Sequence, residues 1–275
     1  MRVDLHIHTT ASDGCWPPER VVTEALSRGI GLLAVADHDT VGHVAAAQEL
    51  ARETGVAFLQ GVEVSARLDG YLFHILAYGI DTGNADLEEV LQHNTAIWEQ
   101  DNEAVIRGLI AAGLPITWLD YDVYEHDRTL GGWKPLRFLV ERGLCTGISD
   151  YFDRLVRGLS LPPTRFAHPA DAIAAINQAE GVAVLAHPGG SLRNSRDPAS
   201  ILRALMDMGL GGIECYSTYH DEETTGYFLE WCRSHALLIT GGSDSHGGFV
   251  GREMGVPIVD ISDLELGELL AQIAW

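Results

Sequence analysis

The chain has 275 residues, 46% of them hydrophobic. That suffices for a full core in one large α/β domain, or one domain carrying an insertion, and it excludes a disordered chain. Its 18 Lys and Arg against 39 Asp and Glu leave a formal net charge of −21, a field that repels polyphosphate chains at long range and argues against a nonspecific nucleic-acid binder, while a short, locally captured phosphate compound stays compatible with it.

The chain opens on the apolar run Val3 to His8 with no positively charged leader, and ligands at His6 and His8 would be lost with any cleaved peptide. Pro17-Pro18-Glu19 starts a helix that Gly29 closes. The run Leu32 to Asp37 follows, then a helix with Thr40 as its cap, passing through Ala45-Ala46-Ala47 to Gly55. Phe58 to Glu63 and Tyr71 to Tyr78 are the next apolar runs. Further on, Pro169-Ala170-Asp171 opens a helix that ends at Gly181, and Asp197-Pro198 opens another ending near Gly209. Between and after them come the runs Val182 to His187, Gly212 to Cys215 and Leu237 to Asp244. Such alternation predicts repeated βα units with buried parallel strands, whose ends gather at one rim.

The alternation breaks between about Asn84 and Pro169, where a long amphipathic stretch from Asp86 to Ala112 is followed by the aromatic and basic run Gly131-Gly132-Trp133-Lys134-Pro135-Leu136-Arg137. The expected organisation is therefore a barrel domain of residues 1–90 and 169–275, with 91–168 a helical insertion over its mouth. Trp118, Trp133 and Tyr151 in that insertion could stack on a base or form the core of a small helical lid. Cys15, Cys145, Cys215 and Cys232 lack C-x-x-C spacing and read as reduced thiols. No apolar run approaches the roughly 20 residues of a membrane helix, so a cytoplasmic protein is expected.

Runs of this kind end repeatedly in metal-ligand types. Alternate residues of a strand point the same way, so His6-Ile7-His8 can aim two imidazoles at one point, and the turn after it can fold Asp13 back toward a neighbouring ion. His38, in Asp37-His38-Asp39-Thr40, is a third candidate, with Asp37 or Asp39 able to orient a ligand imidazole. Glu63 has the two oxygens needed to bridge cations. His74 lies inside an apolar run, where a buried imidazole must find a partner, and His187-Pro188-Gly189-Gly190 ends a strand in a turn that exposes backbone donors. Asp244-Ser245-His246 repeats the opening geometry, bracketed by Gly241, Gly242, Gly247 and Gly248. His43 reads as a solvated helix residue, and His168 sits where it could reach a substrate. A metallohydrolase is the leading reading of this order and spacing.

Together, His6-x-His8 with Ser12-Asp13-Gly14, the Asp37-His38-Asp39-Thr40 box, Gly61-Val62-Glu63, His74, Ala186-His187-Pro188 and Ser243-Asp244-Ser245-His246 resemble the PHP (polymerase and histidinol phosphatase) family, from residue 1 to about residue 250 with the insertion between. The resemblance implies a distorted, TIM-like (β/α)7 barrel holding two to three divalent ions and a cytoplasmic metal-dependent phosphoesterase. It implies one ion on His6, His8, Glu63 and Asp244, a second on Asp13, His38 and His246, and a third on Glu63, His74 and His187. Some branches carry histidine where this chain has Asp13; the more oxygen-rich site favours manganese or iron, with zinc as the alternative. The Gly131-Gly132-Trp133-Lys134 run does not match the histidinol phosphatase branch.

The implied reaction is hydrolysis of a small phosphorylated substrate, a nucleotide or sugar phosphomonoester or a cyclic phosphodiester, by metal-activated hydroxide, with His187 or Asp39 protonating the departing alkoxide. Lys134, Arg137, Arg165 and Arg193 are the cations expected to grip phosphate. Alternatives are an exonuclease or phosphatase on short nucleic-acid ends, which the charge disfavours, and a C–N amidohydrolase.

Overall fold

Residues 1–275 are described by a computed structural model, in which the apolar runs become nine strands in two sheets. In chain order they are β1 (Arg2–Ile7), β2 (Ile30–Val35), β3 (Ala57–Phe58), β4 (Gly61–Leu68), β5 (Tyr71–Tyr78), β6 (Val182–Leu185), β7 (Gly212–Tyr216), β8 (Leu238–Gly241) and β9 (Val259–Asp260). One sheet has the order β3-β2-β1-β9 and the other β4-β5-β6-β7-β8.

The expectation of parallel strands holds for β1, β2 and β3 and for β6, β7 and β8. It fails at β5, which runs antiparallel to both of its neighbours. The physical reason is the connection: only Asp69 and Gly70 separate β4 from β5, both at positive φ, and a two-residue Asp-Gly turn joins antiparallel strands. His74 therefore sits within a hairpin, opposite Ser65, inside the apolar run where it was expected. At the C-terminal ends of the parallel strands the two sheets meet through isolated bridges, Ile7 with Ser245 and His38 with Glu63. No continuous ladder crosses between them, so the hydrogen bonding describes a mixed α/β fold of two sheets and not a closed seven-unit barrel.

The helices are α1 (Pro18–Ser27), α2 (Val44–Thr54), α3 (Ala85–Ala111), α4 (Trp118–Asp122), α5 (Lys134–Glu141), α6 (Ile148–Asp150), α7 (Pro169–Gln178), α8 (Pro188–Ser191), α9 (Pro198–Asp207) and α10 (Glu222–His235). Proline occupies the first turn of α1, α7 and α9, where its fixed φ suits the helix and its missing N–H costs no bond. The start of α2 differs from expectation. Thr40 Oγ1 accepts from the Gly42 N–H in a tight turn, and the helix begins only after His43.

A large apolar cluster fills the space around β4 to β8, and a smaller one, including Ile7, Val21, Leu33, Val35 and Phe58, lies under α1 and α2. A third is built inside the inserted segment from Val105, Ile106, Leu109, Tyr121, Leu136, Phe138, Leu139, Tyr151 and their neighbours. Trp118 and Trp133 pack against that third cluster and Tyr151 is part of it, so these aromatics are core and not a base-stacking face. Helix α3 ties the segment to the sheets: Asn94 Nδ2 donates to the Ser65 carbonyl at 2.7 Å, and its Oδ1 accepts from the Ala167 N–H at 3.0 Å.

Candidate metal centre

The rim where the two sheets meet collects residues from seven strands and the loops after them. The end of β1 bonds across to the last loop, with the His8 N–H donating to the Ser245 carbonyl at 2.8 Å. The loop after β2 pairs with β4, Glu63 N–H to the Asp37 carbonyl at 3.1 Å and Asp39 N–H to the Glu63 carbonyl at 2.9 Å. Asp39, His187 and Asp244 all have φ in the left-handed region, at 49°, 30° and 52°. For residues with a Cβ that conformation costs about 1–3 kcal/mol each and persists only where the surroundings impose it, a pattern that concentrates at functional sites.

Glu63 is the hub, fully buried, with both carboxylate oxygens facing imidazoles. Its Oε2 lies 3.2 Å from His6 Nε2, 3.2 Å from His8 Nε2 and 3.1 Å from His38 Nδ1. Its Oε1 lies 3.2 Å from His74 Nδ1 and 3.0 Å from His187 Nε2. Asp244 Oδ1 stands 3.0 Å from His8 Nε2, and Asp13 Oδ1 is 3.3 Å from His246 Nε2. His6 Nε2 and His8 Nε2 face each other at 3.2 Å.

These donors fall into three sets, each converging on one point: His8, Asp13, His38 and His246; His6, His8, Glu63 and Asp244; and His38, Glu63 and His74. Two ligand atoms each about 2.1 Å from one ion stand about 3 Å apart, the spacing found here. The donors also carry unmet bonding capacity: His38 Nδ1, Glu63 Oε2 and both ring nitrogens of His74 are buried without a hydrogen-bond partner. Buried polar atoms left so are costly unless a ligand completes them. The residues therefore fit divalent cations.

Electrostatics agree with that reading. Burial opposes the charge on Glu63, and the imidazoles of His6, His38 and His74 outweigh it, holding the carboxyl well below its usual range. Burial disfavours the His8 imidazolium, yet the Asp244 and Glu63 carboxylates outweigh it and raise the group to about 10. His6 is raised in the same way by Glu63, Glu214 and Asp244 against the burial effect. His38 goes the other way, lowered by burial to about 3. Glu63, His6 and His8 thus report on their neighbours' charge, as they must in a dry cluster.

The supporting residues depart from the sequence-based expectations. Neither Asp37 nor Asp39 touches a ligand imidazole. Asp37 instead accepts from Thr9 N–H, Thr9 Oγ1 and Ser12 Oγ, which shapes the turn after β1. The Asp39 carboxylate accepts from Ser65 N–H, Ser65 Oγ, Asn94 Nδ2 and Trp98 Nε1 at 2.6–2.9 Å. Those four donors fill its lone pairs and hold α3 in place, so Asp39 cannot serve as the proton donor expected of it. The orienting role falls to Glu214 on β7, which accepts from His6 Nδ1 at 2.9 Å and from the His187 N–H at 2.8 Å. A carboxylate inside the apolar run Gly212 to Cys215 was the one signal that could have found it. His246 Nδ1 donates to the Asp244 carbonyl at 2.8 Å, which leaves its Nε2 for Asp13 and an ion.

The remaining predicted residues divide. His187 keeps Nε2 beside Glu63 but stands outside the three converging sets, and its ring packs on Tyr219 with centroids 4.8 Å apart. Lys134 lies over the Tyr121 ring and donates to the Asp122 carbonyl, inside the inserted segment. Arg137 bonds the carbonyls of Leu130 and Gly131 and lies over Phe249. Arg165 and Arg193 are exposed and make no side-chain contact with the cluster. His43 is not merely solvated, since its Nδ1 meets Thr9 Oγ1 at 2.8 Å, and His168 caps α7 by accepting from the Ala170 N–H. The cation that does reach the centre is Arg252, which the sequence reading passed over. Its Nη1 donates to the Asp244 carboxylate and carbonyl, and its guanidinium lies over Tyr219 at 4.8 Å. Both residues line a cavity of about 490 Å³ with Thr218, Gly251, Glu253 and Val256.

Comparison with known proteins agrees with this geometry. Residues 4–113 match the model of the PHP domain. The chain is 31% identical to the phosphoribosyl 1,2-cyclic phosphate 1,2-diphosphodiesterase of Eggerthella lenta, over 90% of this chain and 94% of that one. It is 30% identical to the 5'-3' exoribonuclease Rnm of Escherichia coli, over 88% of this chain and 84% of that one. A crystal structure of a candidate metal-dependent phosphoesterase from Bifidobacterium adolescentis superposes with a TM-score of 0.85 at 31% identity, covering 98% of this chain and 96% of that chain. Fold, donor cluster and relatives together define a metal-dependent hydrolase of phosphoric ester bonds. The chain belongs to the PHP family.

Proposed function

We propose that this protein hydrolyses a small phosphorylated substrate, a cyclic phosphodiester or a nucleotide or sugar phosphomonoester, at the centre built around Glu63. The observation that carries the reading is Glu63 itself, whose two oxygens each face ligand imidazoles at 3.0–3.2 Å from a fully buried position. His6, His8, Glu63 and Asp244 would hold one ion, Asp13, His38 and His246 a second, and Glu63 with His74 a third, with manganese or iron favoured by the oxygen-rich Asp13 set and zinc the alternative. When bound, such ions supply an activated water near neutral pH and neutralise charge on the phosphorus oxygens.

The protein's own groups do the rest. Arg252, held between Tyr219 and Asp244, would grip a non-bridging oxygen of the phosphate, the role first expected of Lys134, Arg137, Arg165 and Arg193. His187 can hold a proton at Nε2, shared with Glu63 Oε1, and pass it to the departing oxygen. The inserted segment 91–168 is read as a lid over the rim and the two sheets as one distorted barrel, supported by the bridges at Ile7 and His38.

The test is phosphate release, or ring opening, from a panel of cyclic phosphates, nucleoside bisphosphates and sugar phosphates, after chelation and again with manganese, iron or zinc. Turnover that depends on added metal is the expected result. No turnover of any panel member by protein that has taken up metal would overturn the reading. Cleavage of short oligonucleotide ends is a second reading, favoured by the 30% identity to an exoribonuclease, and labelled oligonucleotides in the same assay separate the two. The C–N reading rests on the likeness to a solved structure of an amidohydrolase from Chromobacterium violaceum, with a TM-score of 0.83 at 28% identity, and an amide substrate in the panel tests it.

A further inference from the structure

The ligands of the centre are not held equally. His6, Glu63 and His74 stand on strands, whose ladders fix their backbones. Asp13 stands on a turn outside every ladder, with its side chain partly exposed. From the strand side the turn is held by Ser12 Oγ on Asp37 and by the Gly14 N–H on the Thr9 carbonyl. From the other side, three hydrogen bonds reach it from the inserted segment: Arg128 Nη1 donates to the carbonyls of Ala11 at 3.0 Å and Ser12 at 3.3 Å, and the Gly132 N–H donates to the Asp13 carbonyl at 2.7 Å.

The same stretch also presses on the loop that carries the partner ligand. A Cβ at Gly131 would come within 2.8 Å of the Phe249 side chain and 3.2 Å of the Asp13 carbonyl oxygen, and Gly131 and Gly132 both have positive φ, at 72° and 76°. Only glycine gives this approach without strain. Phe249 follows His246 by three residues, and Arg137 lies over its ring at 4.7 Å. The segment from Arg128 to Arg137 therefore touches both loops whose ligands, Asp13 and His246, meet at 3.3 Å.

We propose that this segment is a positioning device for the Asp13, His38 and His246 cluster, with Arg128 as its staple. A charged donor to two carbonyls fixes the turn as hydrogen bonds behind a ligand fix the ligand itself, and losing such a partner typically weakens an ion about 10- to 100-fold. Because Arg128 is exposed, the lower end of that range applies here. The effect centres on the Asp13 cluster, since Arg128 and the Gly132 N–H bond to the Ala11, Ser12 and Asp13 carbonyls, while His6, Glu63 and His74 stand on strands and only His8 and His38 of that cluster are shared with the other sets.

This inference rests on the metal-centre reading, and the experiment separates the two. Full-length wild type, Arg128→Ala, Arg128→Lys and a control, Arg157→Ala, whose exposed guanidinium pairs with Asp153 within the inserted segment, are titrated with manganese, and bound ions per chain are counted by elemental analysis across a chelator series. Thermal midpoints of the ion-free proteins are measured alongside. The expected result is that Arg128→Ala releases one ion at about tenfold lower chelator while the others stay, that Arg128→Lys recovers part of the loss, and that the ion-free midpoint is unchanged. If Arg128→Ala misfolds, Arg128→Lys reads the same split. An ion profile identical to that of wild type, or a uniform loss of every ion with a falling midpoint, overturns the proposal. A wild type that binds no ion overturns the metal-centre reading with it.

Discussion

At the residue scale, the centre is a set of groups whose charges are set by one another. Carboxylates outweigh the burial effect on His6 and His8 and raise both, His8 to about 10, whereas His38 is lowered by burial to about 3 and is neutral, ready to bind. A cation bound there must compete with the proton that this pair favours. Metal affinity should therefore rise with pH, and calorimetric titration in buffers of different ionisation enthalpy should detect proton release; an affinity independent of pH between 6 and 9 would contradict the charge assignment. The same shift has a stability consequence of definite sign. The stability that protonated His8 lends the ion-free protein is fully present below about 6.5, the unfolded value, and is lost as pH rises through about 10.

Glu214 supplies a second test at this scale. It fixes the His6 ring through Nδ1 and the His187 backbone through its N–H, so Glu214→Gln should leave a folded protein whose metal affinity is about 10- to 100-fold weaker. Competition against a fluorescent chelator reads this directly. An unchanged affinity would reduce Glu214 to a core polar group with no part in the centre.

At the scale of elements, the sheets deliver the ligands and close approach decides where. β1 passes so near the end of β8 that a Cβ at Gly242 would sit 2.4 Å from His6 Cβ and 2.5 Å from His6 N. Gly242→Ala must push the two apart, and overpacking of this kind costs about 1–3 kcal/mol. A lower urea midpoint together with loss of bound ions is the expected outcome; full metal loading with normal stability would mean that β1 and β8 are less tightly coupled than these distances require.

Much at this scale was legible from the pattern. The apolar runs leading to His8, Asp37, His187 and Asp244 became strands whose ends meet at one rim, and the prolines at the heads of α1, α7 and α9 marked their starts, whereas Glu63 stands near the start of β4 and not at the end of the run expected from Phe58. The hairpin at Asp69-Gly70 was missed because the run expected to end at Glu63 continues as β4 to Leu68, where Ser65 and Arg67 interrupt the apolar pattern, although the turn dipeptide was there to be used. Thr40 was read as a helix cap because its type suits one, while its hydroxyl closes a local turn instead.

At the scale of the whole molecule, the net charge of −21 surrounds a centre that attracts anions only at short range. Long polyanions are repelled before they reach Arg252 or the ions, and salt screens that repulsion over about 8–10 Å. If oligonucleotides are cut at all, raising ionic strength from about 0.01 to about 0.15 M should speed cleavage of longer strands more than of a mononucleotide. A rate that falls with salt in proportion to strand length would point to a basic groove and favour the nuclease reading.

The order and type of the polar residues at strand ends were enough, taken alone, to point to a metal centre and to hydrolysis, because alternate residues of a strand share a face and few roles other than metal binding need so many imidazoles there. Which polar residue faces the ions was decided only by tertiary structure. Asp39 and Glu214 have similar side chains and both lie next to apolar runs. The first turns to meet Asn94 and Trp98 from α3, and the second meets His6, a residue 208 positions away. Arg252 and Lys134 are separated in the same way, by which loop packs on Tyr219 and which on Tyr121. A side chain's partner across such separations depends on strand order and loop packing, and local spacing carries no information about either.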